Sequence, residues 1–431
     1  MAIQGLRNTG ITGGTGAAND FVAGQRPLNW REGILLLYPN GRAPLLALTS
    51  QMKSSSTDDP EFNWWEKGLN AQRIELDATT GDITTAYNNP TNMILLLSST
   101  SKAKSLPVGG LLYAEQTGEI MRIVSITDDT HVVVDRGLTG EASFAGAART
   151  AIDPNGSGIN PFLLCIGTAF KEGSDAPDGL SFDPTKMYNY TQIFRNNLEM
   201  TRTAMKTRLR TGDQVREAKR EALEYHSVEM EKAFFFGGRT ERVTGSVPIR
   251  TTAGILNWLT TYNSAGVVEM KGTALTLAVL ESQLQQAFAY GSSQKVCFLG
   301  NRAMLLLQQC IRLGTNIHYE IKTGEKEFGM NVSKLITPFG ELVLKTHPLF
   351  NQIPGGTTSV AYYGMESSMF ILDMDNIKYR YLTDSDTKYE ADQKTPGVDG
   401  LKSGYLTECG LEIHHPLTHR ALLRLSTVSA G

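Results

Sequence analysis

Residues 213–236 read DQVREAKREALEYHSVEMEKAFFF, with no proline and no glycine. Val215, Ala218, Ala222, Tyr225 and Val228 recur at steps of three or four, the spacing that lines one face of an α-helix. Leu223, Met230 and Phe234 widen this stripe toward its C-terminal end. Asp213 follows Thr211 and Gly212, where a carboxylate accepts from the first free backbone N–H groups, and Gly237 and Gly238 close the run. The pattern predicts a helix over 213–236, about 36 Å long at 1.5 Å per residue. In a chain whose other apolar runs are short, a helix of this length is a structural spine.

Working outward, residues 192–210 fit two periods: Ile193, Leu198 and Met200 one, Phe194, Leu198, Met205 and Leu209 the other. Across 202–220 stand seven basic residues (Arg202, Lys206, Arg208, Arg210, Arg216, Lys219, Arg220) against Asp213 and Glu217. This local excess suits contact with a nucleic-acid backbone or with acidic residues of a neighbouring subunit. No aromatic residues interleave with it, so base stacking is not expected. Beyond the helix, the pattern predicts helices over 275–289 and 302–313. It predicts strands over 295–299, 317–321, 334–337, 341–346, 405–413 and 421–427. Residues 368–372 and 378–382 read as a β pair. Helices mixed with antiparallel strands, without a regular βαβ cadence, predict an α+β fold.

On the N-terminal side, residues 78–160 read as a small β module. EIMRIVSI at 119–126 and HVVVD at 131–135 flank Asp128 and Asp129 and predict a hairpin. Met93 to Leu97 predicts a short buried strand, and 139–159 a loop. Residues 42–77 read as two extended arms joined by the turn-prone SSSTDDP. They carry Phe62, Trp64 and Trp65, which are candidate contacts with a neighbouring subunit. Adjacent residues on a strand face opposite sides, so one tryptophan is expected to bury at home. Residues 1–29 hold no periodic pattern and are rich in glycine; such an arm buries too little to order by itself.

The chain has 431 residues and a near-neutral balance of 41 Lys and Arg against 44 Asp and Glu. The whole surface is therefore not built to hold nucleic acid. Cys165, Cys297, Cys310 and Cys409 form no close pair and read as thiols in a reducing compartment. No run approaches the ~20 apolar residues of a membrane span, and no apolar secretory leader opens the chain. His414, His415 and His419, with Cys409 nearby, are a weak zinc candidate because Pro416 interrupts them. Ser99 with Lys102, and Ser101 with Lys104, have nucleophile spacing but lie in a polar loop without partner motifs. Asp373 and Asp375 alone make a poor cation site. No catalytic residue, metal or cofactor is expected.

Five stretches carry a family resemblance: PEFNWWEKGL (60–69), GEIMRIVSITDDTHVVVDRG (118–137), NYTQIFRNNLEMTRTAMKTRLRTGD (189–213), EALEYHSVEMEKAFFFGG (221–238) and TPFGELVLKTHP (337–348). In this order the chain resembles major capsid proteins of tailed double-stranded DNA bacteriophages with the Hong Kong 97-type fold, in the subgroup with an inserted small β domain. The resemblance implies an N-terminal arm (1–41), an extended loop (42–77), the insertion (78–160) and a peripheral domain (161–269) containing the spine helix. An axial domain (270–400) and C-terminal strands returning to the peripheral domain (401–431) complete it. It also implies a non-enzymatic subunit that assembles in the host cytoplasm as pentamers and hexamers of identical copies, forming an icosahedral head around the genome. A portal protein at one vertex, scaffolding and cementing proteins, and non-specific contact with packaged DNA through Arg202, Lys206, Arg208 and Arg210 belong to that picture; a membrane does not. The alternative is a non-viral shell of the same fold enclosing cargo.

Overall fold

A computed structural model describes residues 53–68, 73–77, 93–97, 103, 106–115, 118–136, 162–175, 179, 181, 183–207, 213–245, 247–313, 321–327, 330–352 and 364–428. The arm 1–41, the loop 139–159, both Ser/Lys pairs, Arg208, Arg210 and the expected strand residues 317–320 lie outside the described residues. The chain divides into two compact units, residues 1–64 with 187–431, and residues 65–186.

In the larger unit the helix spans Gln214–Phe236, and the Asp213 carboxylate accepts from Val215 N at 3.0 Å. Its C-terminus is held by Gly237 N donating to Ala233 O at 2.7 Å. Gly237 is required by close approach, because a Cβ there would stand 2.5 Å from Ala233 O and 2.7 Å from Thr252 O. The buried face is Ala222, His226, Met230, Glu231, Phe234 and Phe235, whereas Tyr225 and Leu223 are exposed. The expected stripe is thus rotated. Ala222, Met230 and Phe234 of that stripe do sink, at a step of four completed by His226, and the polar His226 and Glu231 hid the rest of the buried face from an apolar pattern.

This helix packs on a sheet ordered Ser54–Thr57, Ile377–Leu382, Gly400–Ile413, Gln192–Thr201, with Lys388–Glu390 also pairing to Gly400–Ile413. Residues 192–201 resolve their ambiguity as strand, antiparallel to Gly400–Ile413 from Gln192↔Cys409 to Thr201↔Gly400. The short helix Arg202–Lys206 then leads toward the spine.

A second, seven-stranded mixed sheet is ordered Val267–Glu269, Arg420–Leu423, Met369–Leu372, Gln294–Leu299, Gly340–Thr346, Met330–Thr337, Ile321–Glu327. Its central strands are buried on both faces, so they read as continuous apolar runs. Val296, Phe298, Val343, Phe370 and Leu372 turn toward the core shared with the spine helix. Cys297, Leu299, Leu342, Leu344 and Ile371 turn to the other face, against Leu280 and Leu284 of the helix Leu277–Ala287 and Leu306 and Leu307 of Asn301–Leu313.

Successive helical residues point about 100° apart, which lets the end of the spine address both sheets. Phe234 lies 6.5 Å from Phe194 and 6.3 Å from Tyr379, while Phe235 lies 5.1 Å from Phe350 and 5.5 Å from Phe370. The aromatic end of the helix is the joint of this unit.

The smaller unit is a six-stranded antiparallel sheet: Arg73–Glu75, Phe162–Thr168, Gly110–Ala114, Ile120–Ile126, His131–Asp135, Met93–Leu96. Its hairpin turn is made by Asp128, whose Oδ1 accepts from Thr130 N at 2.8 Å and His131 N at 2.7 Å. The core holds Leu112, Met121, Ile123, Val132, Val134 and Leu163.

Three differences from the sequence reading follow from long-range pairing. Met369–Leu372 and Ile377–Leu382 are not a pair, because the 3-10 turn Met374–Asn376 buries Met374 and redirects the chain from one sheet to the other. The described parts of 42–77 enter three sheets. Ser54–Thr57 runs parallel to Ile377–Leu382, Glu61–Glu66 pairs with Thr185–Tyr190, and Arg73–Glu75 pairs with Phe162–Thr168. The C-terminal strands also divide, since Gly400–Ile413 joins the helix-bearing sheet and Arg420–Leu423 the seven-stranded one.

Candidate assembly surfaces

The strand Glu61–Glu66 alternates as its geometry demands, with Phe62 and Trp64 buried and Trp65 66% exposed. Phe62 and Trp64 stack at 6.1 Å, and Trp64 also meets Trp258 at 5.3 Å and the His414 ring at 5.8 Å with 10° between planes. Two of the three candidate contact residues are therefore committed to their own chain, and Trp65 alone presents its ring outward.

His414 in turn bonds through Nε2 to Oε1 of the buried Glu412, whose Oε2 accepts from Arg380 Nε. Lys378 Nζ is 3.6 Å from Glu412. Burial opposes ionisation of Glu412, but the bonds from His414 and Arg380 outweigh it and hold the carboxyl at about 2. Arg380 Nη1 donates onward to Ser55 Oγ. The carboxylate thus aims a guanidinium at Ser54–Thr57, a strand that pairs only with Ile377–Leu382 among the described residues.

The HHPLTH segment forms a corner. His415, at φ 46°, precedes the 3-10 turn Pro416–Thr418. The buried His419 accepts from Asp373 N at Nδ1 (3.1 Å), so Nε2 carries the proton directed at His414 O, 3.3 Å away. Burial lowers this imidazole to about 4. Asp373 accepts from Ser292 N and Oγ and from Asn376 Nδ2, each at 3.0 Å. Gly291 is required beside it, since a Cβ there would lie 2.2 Å from Asp373 Oδ2. Lys295 Nζ donates to the carbonyls of Ala287, Tyr290 and Thr418. Among the described residues no cluster of three His, Cys, Asp or Glu side chains is placed to hold a metal.

Two further buried polar contacts escaped the sequence reading. His226 on the spine bonds Asn196 Oδ1 through Nδ1 (3.0 Å) and Thr407 Oγ1 through Nε2 (2.7 Å). Leu349 N donates to His347 Nδ1, leaving Nε2 of His347 to donate to Glu231 Oε1 at 2.7 Å. Polar residues at core positions of a step-of-four helix were the available signal.

The basic stretch is dispersed. Arg202 and Lys206 are exposed on the short helix, and Arg202 Nε lies 3.2 Å from Asp399 Oδ1. Lys219 Nζ sits 4.5 Å above the Tyr389 ring, and Arg220 pairs with Glu224 at 3.3 Å. Nearby, Arg195 pairs with Glu390 and Lys402 with Glu199. Much of the local charge is answered within the chain by exposed pairs, each contributing little to stability.

The buried polar groups of this α+β body tie its own elements together, and large apolar side chains such as Trp65, Val243, Val247 and Ile249 stand exposed on short strands. The sequence matches the SU10 major capsid protein family over residues 9–426, and the chain belongs to that family. The major capsid protein of Pseudomonas phage PaMx41 is 28% identical over 404 residues, covering 89% of this chain and 88% of its own length. Among solved structures, the capsid of a native GTA particle overlaps 97% of this chain and 99% of its own at 8% identity, with a TM-score of 0.41. The holo-SrpI encapsulin complex from Synechococcus elongatus PCC 7942 overlaps 57% of this chain and 78% of its own at 12% identity, with a TM-score of 0.39. The described residues form an α+β architecture with a long helix on a sheet and a separate β-rich unit. The protein is a non-enzymatic capsid component of the virion that forms homo-oligomeric shells.

Proposed function

We propose that this subunit assembles as pentamers and hexamers into the icosahedral head that encloses a phage double-stranded DNA genome. The observation that carries this reading is the extent of the family match, which spans residues 9–426. In this reading residues 1–41 act as an arm between copies. The β-rich insertion and the region of the extended loop face neighbours, with Trp65 as the aromatic contact. Arg202, Lys206, Arg208 and Arg210 meet the DNA backbone without sequence preference. That contact suits a surface whose cations are partly neutralised at home, since fewer released counterions mean a weaker grip. Assembly takes place in the host cytoplasm, with a portal protein at one vertex and with scaffolding and cementing proteins as further partners.

Electron microscopy of the purified assembly tests the reading. DNA-filled heads bearing a tail vertex are expected, whereas small shells filled with protein would replace it with the cargo-enclosing alternative. Lys206→Glu combined with Arg208→Glu is expected to lower DNA retention in such heads while leaving shell yield unchanged. Full heads with normal retention would remove these residues from the DNA contact.

A further inference from the structure

In three places the described chain passes from one sheet of the larger unit to the other. The first passage leaves Gln192–Thr201, follows the spine and the helix Ile255–Tyr262, and enters Val267–Glu269 past Asn263. The second runs from Leu372 to Ile377 and the third from Ile413 to Arg420. All three meet. Asn263 Nδ2 donates to Pro416 O at 3.0 Å and His419 O at 3.2 Å, and Arg420 Nη2 donates to Ala265 O at 3.0 Å, which ties the first passage to the third. Asp373 N donates to His419 Nδ1, and His414 N donates to Asn376 O at 2.8 Å, which ties the second to the third.

Lys295 draws the central strand of the seven-stranded sheet into the same place. An ammonium has three protons to donate, and three carbonyls receive them: Ala287 at the end of the helix Leu277–Ala287, Tyr290 in the loop that follows, and Thr418 in the third passage. Burial lowers this ammonium to about 8, which leaves it charged at neutral pH. Asp373 accepts from Ser292 of that loop and from Asn376 of the second passage. Lys295, Asp373 and His419 are all buried. The aromatic end of the spine also lies between the sheets, but apolar contact is non-directional and singles out no one angle. Buried hydrogen bonds do, because each one bent or broken leaves a polar group without its partner. Burial of charge is a poor source of stability; a fixed geometry is what such a cluster supplies.

We propose that this cluster is the lock that fixes the angle between the two sheets, and with it the curvature of the shell that identical copies build. Exposed apolar residues stand on both sheets, Ile193 at 62% on one and Ile336 at 45% on the other, so the angle sets the directions in which a copy meets its neighbours. When one contact repeats, the rotation between copies decides where the assembly closes. The inference rests on the shell-forming role above. Lys295→Met removes all three donors and keeps an apolar stem. Ser292→Ala with Asn376→Ala is milder and removes two side-chain bonds to Asp373. In the protomer both should speed hydrogen exchange over residues 288–293 and 373–376 about tenfold or more, with circular dichroism unchanged. In assembled particles, electron microscopy should show several diameters where the unsubstituted chain gives one. Leu307→Ala, in the core on the other face of the seven-stranded sheet, should lower the melting temperature and keep one diameter. A single diameter in the cluster variants overturns the proposal, as does a mixture of diameters in Leu307→Ala. Should Lys295→Met fail to fold, the double variant decides alone. An unsubstituted chain that forms no closed shells overturns the shell-forming role and the curvature claim with it. Unchanged exchange in the variants overturns the lock even where shells form.

Discussion

At the scale of single residues, Trp64 and Trp65 are neighbours in sequence and opposites in environment, since a strand turns successive side chains to opposite faces. Trp64→Ala is expected to cost about 3–5 kcal/mol by loss of packing against Trp258 and His414, measured by urea unfolding of the unassembled protomer. Trp65→Ala should change that stability by less than about 0.5 kcal/mol yet reduce closed particles seen by electron microscopy. The buried imidazoles make a second prediction. His226 and His419 are both held below the ordinary value of 6.5 by burial, His419 to about 4 despite the opposing pull of Asp373. Between those values the unfolded chain binds a proton that the native chain does not, so stability falls as pH drops from about 6.5 toward 4. His419 contributes on the order of 3 kcal/mol to that fall. Glu412, lowered from 4.5 to about 2, extends the loss below pH 4.5. Urea midpoints across pH 4–8 should therefore decline on the acid side, and a flat profile would refute the neutral, buried assignment of His419.

At the scale of elements, the spine helix shows which features a pattern reveals. Its cap, length and stop follow from local chemistry, namely a carboxylate at Asp213, an uninterrupted run of helix formers and a glycine pair at 237–238. Its buried face does not, because His226 and Glu231 are accepted into the core with the help of Asn196, Thr407 and His347, residues remote in sequence. Accordingly Tyr225→Ala, on the exposed side, should be nearly neutral, whereas Phe235→Ala should destabilise by about 3–5 kcal/mol. Thermal melting of the two variants under one condition distinguishes this face from the one drawn through Val215, Ala218 and Tyr225. Asp213→Ala should cost about 1 kcal/mol by removing the bond to Val215 N.

At the scale of the whole molecule, the chain holds two units with their own hydrophobic cores. Leu112→Ala, in the core of the smaller unit, should destabilise that unit by about 2–5 kcal/mol. It should leave hydrogen-exchange protection over residues 294–299 unchanged, and loss of protection in both places would mean that the two units unfold together. The two levels of information divide along similar lines. Local patterns determined the existence and type of the long helix, the Asp128 hairpin, the apolar central strands and the alternation that parts Trp64 from Trp65, because each depends on neighbours within a few residues. Partners were decided only by the folded chain: Ser54–Thr57 beside Ile377–Leu382 and Arg202 meeting Asp399 across about two to three hundred residues, and Met369–Leu372 parted from the nearby Ile377–Leu382. A strand carries the same period whichever strand it joins, and a basic residue reads the same whether its counter-charge stands on its own chain or elsewhere; only the packing of the elements makes that choice.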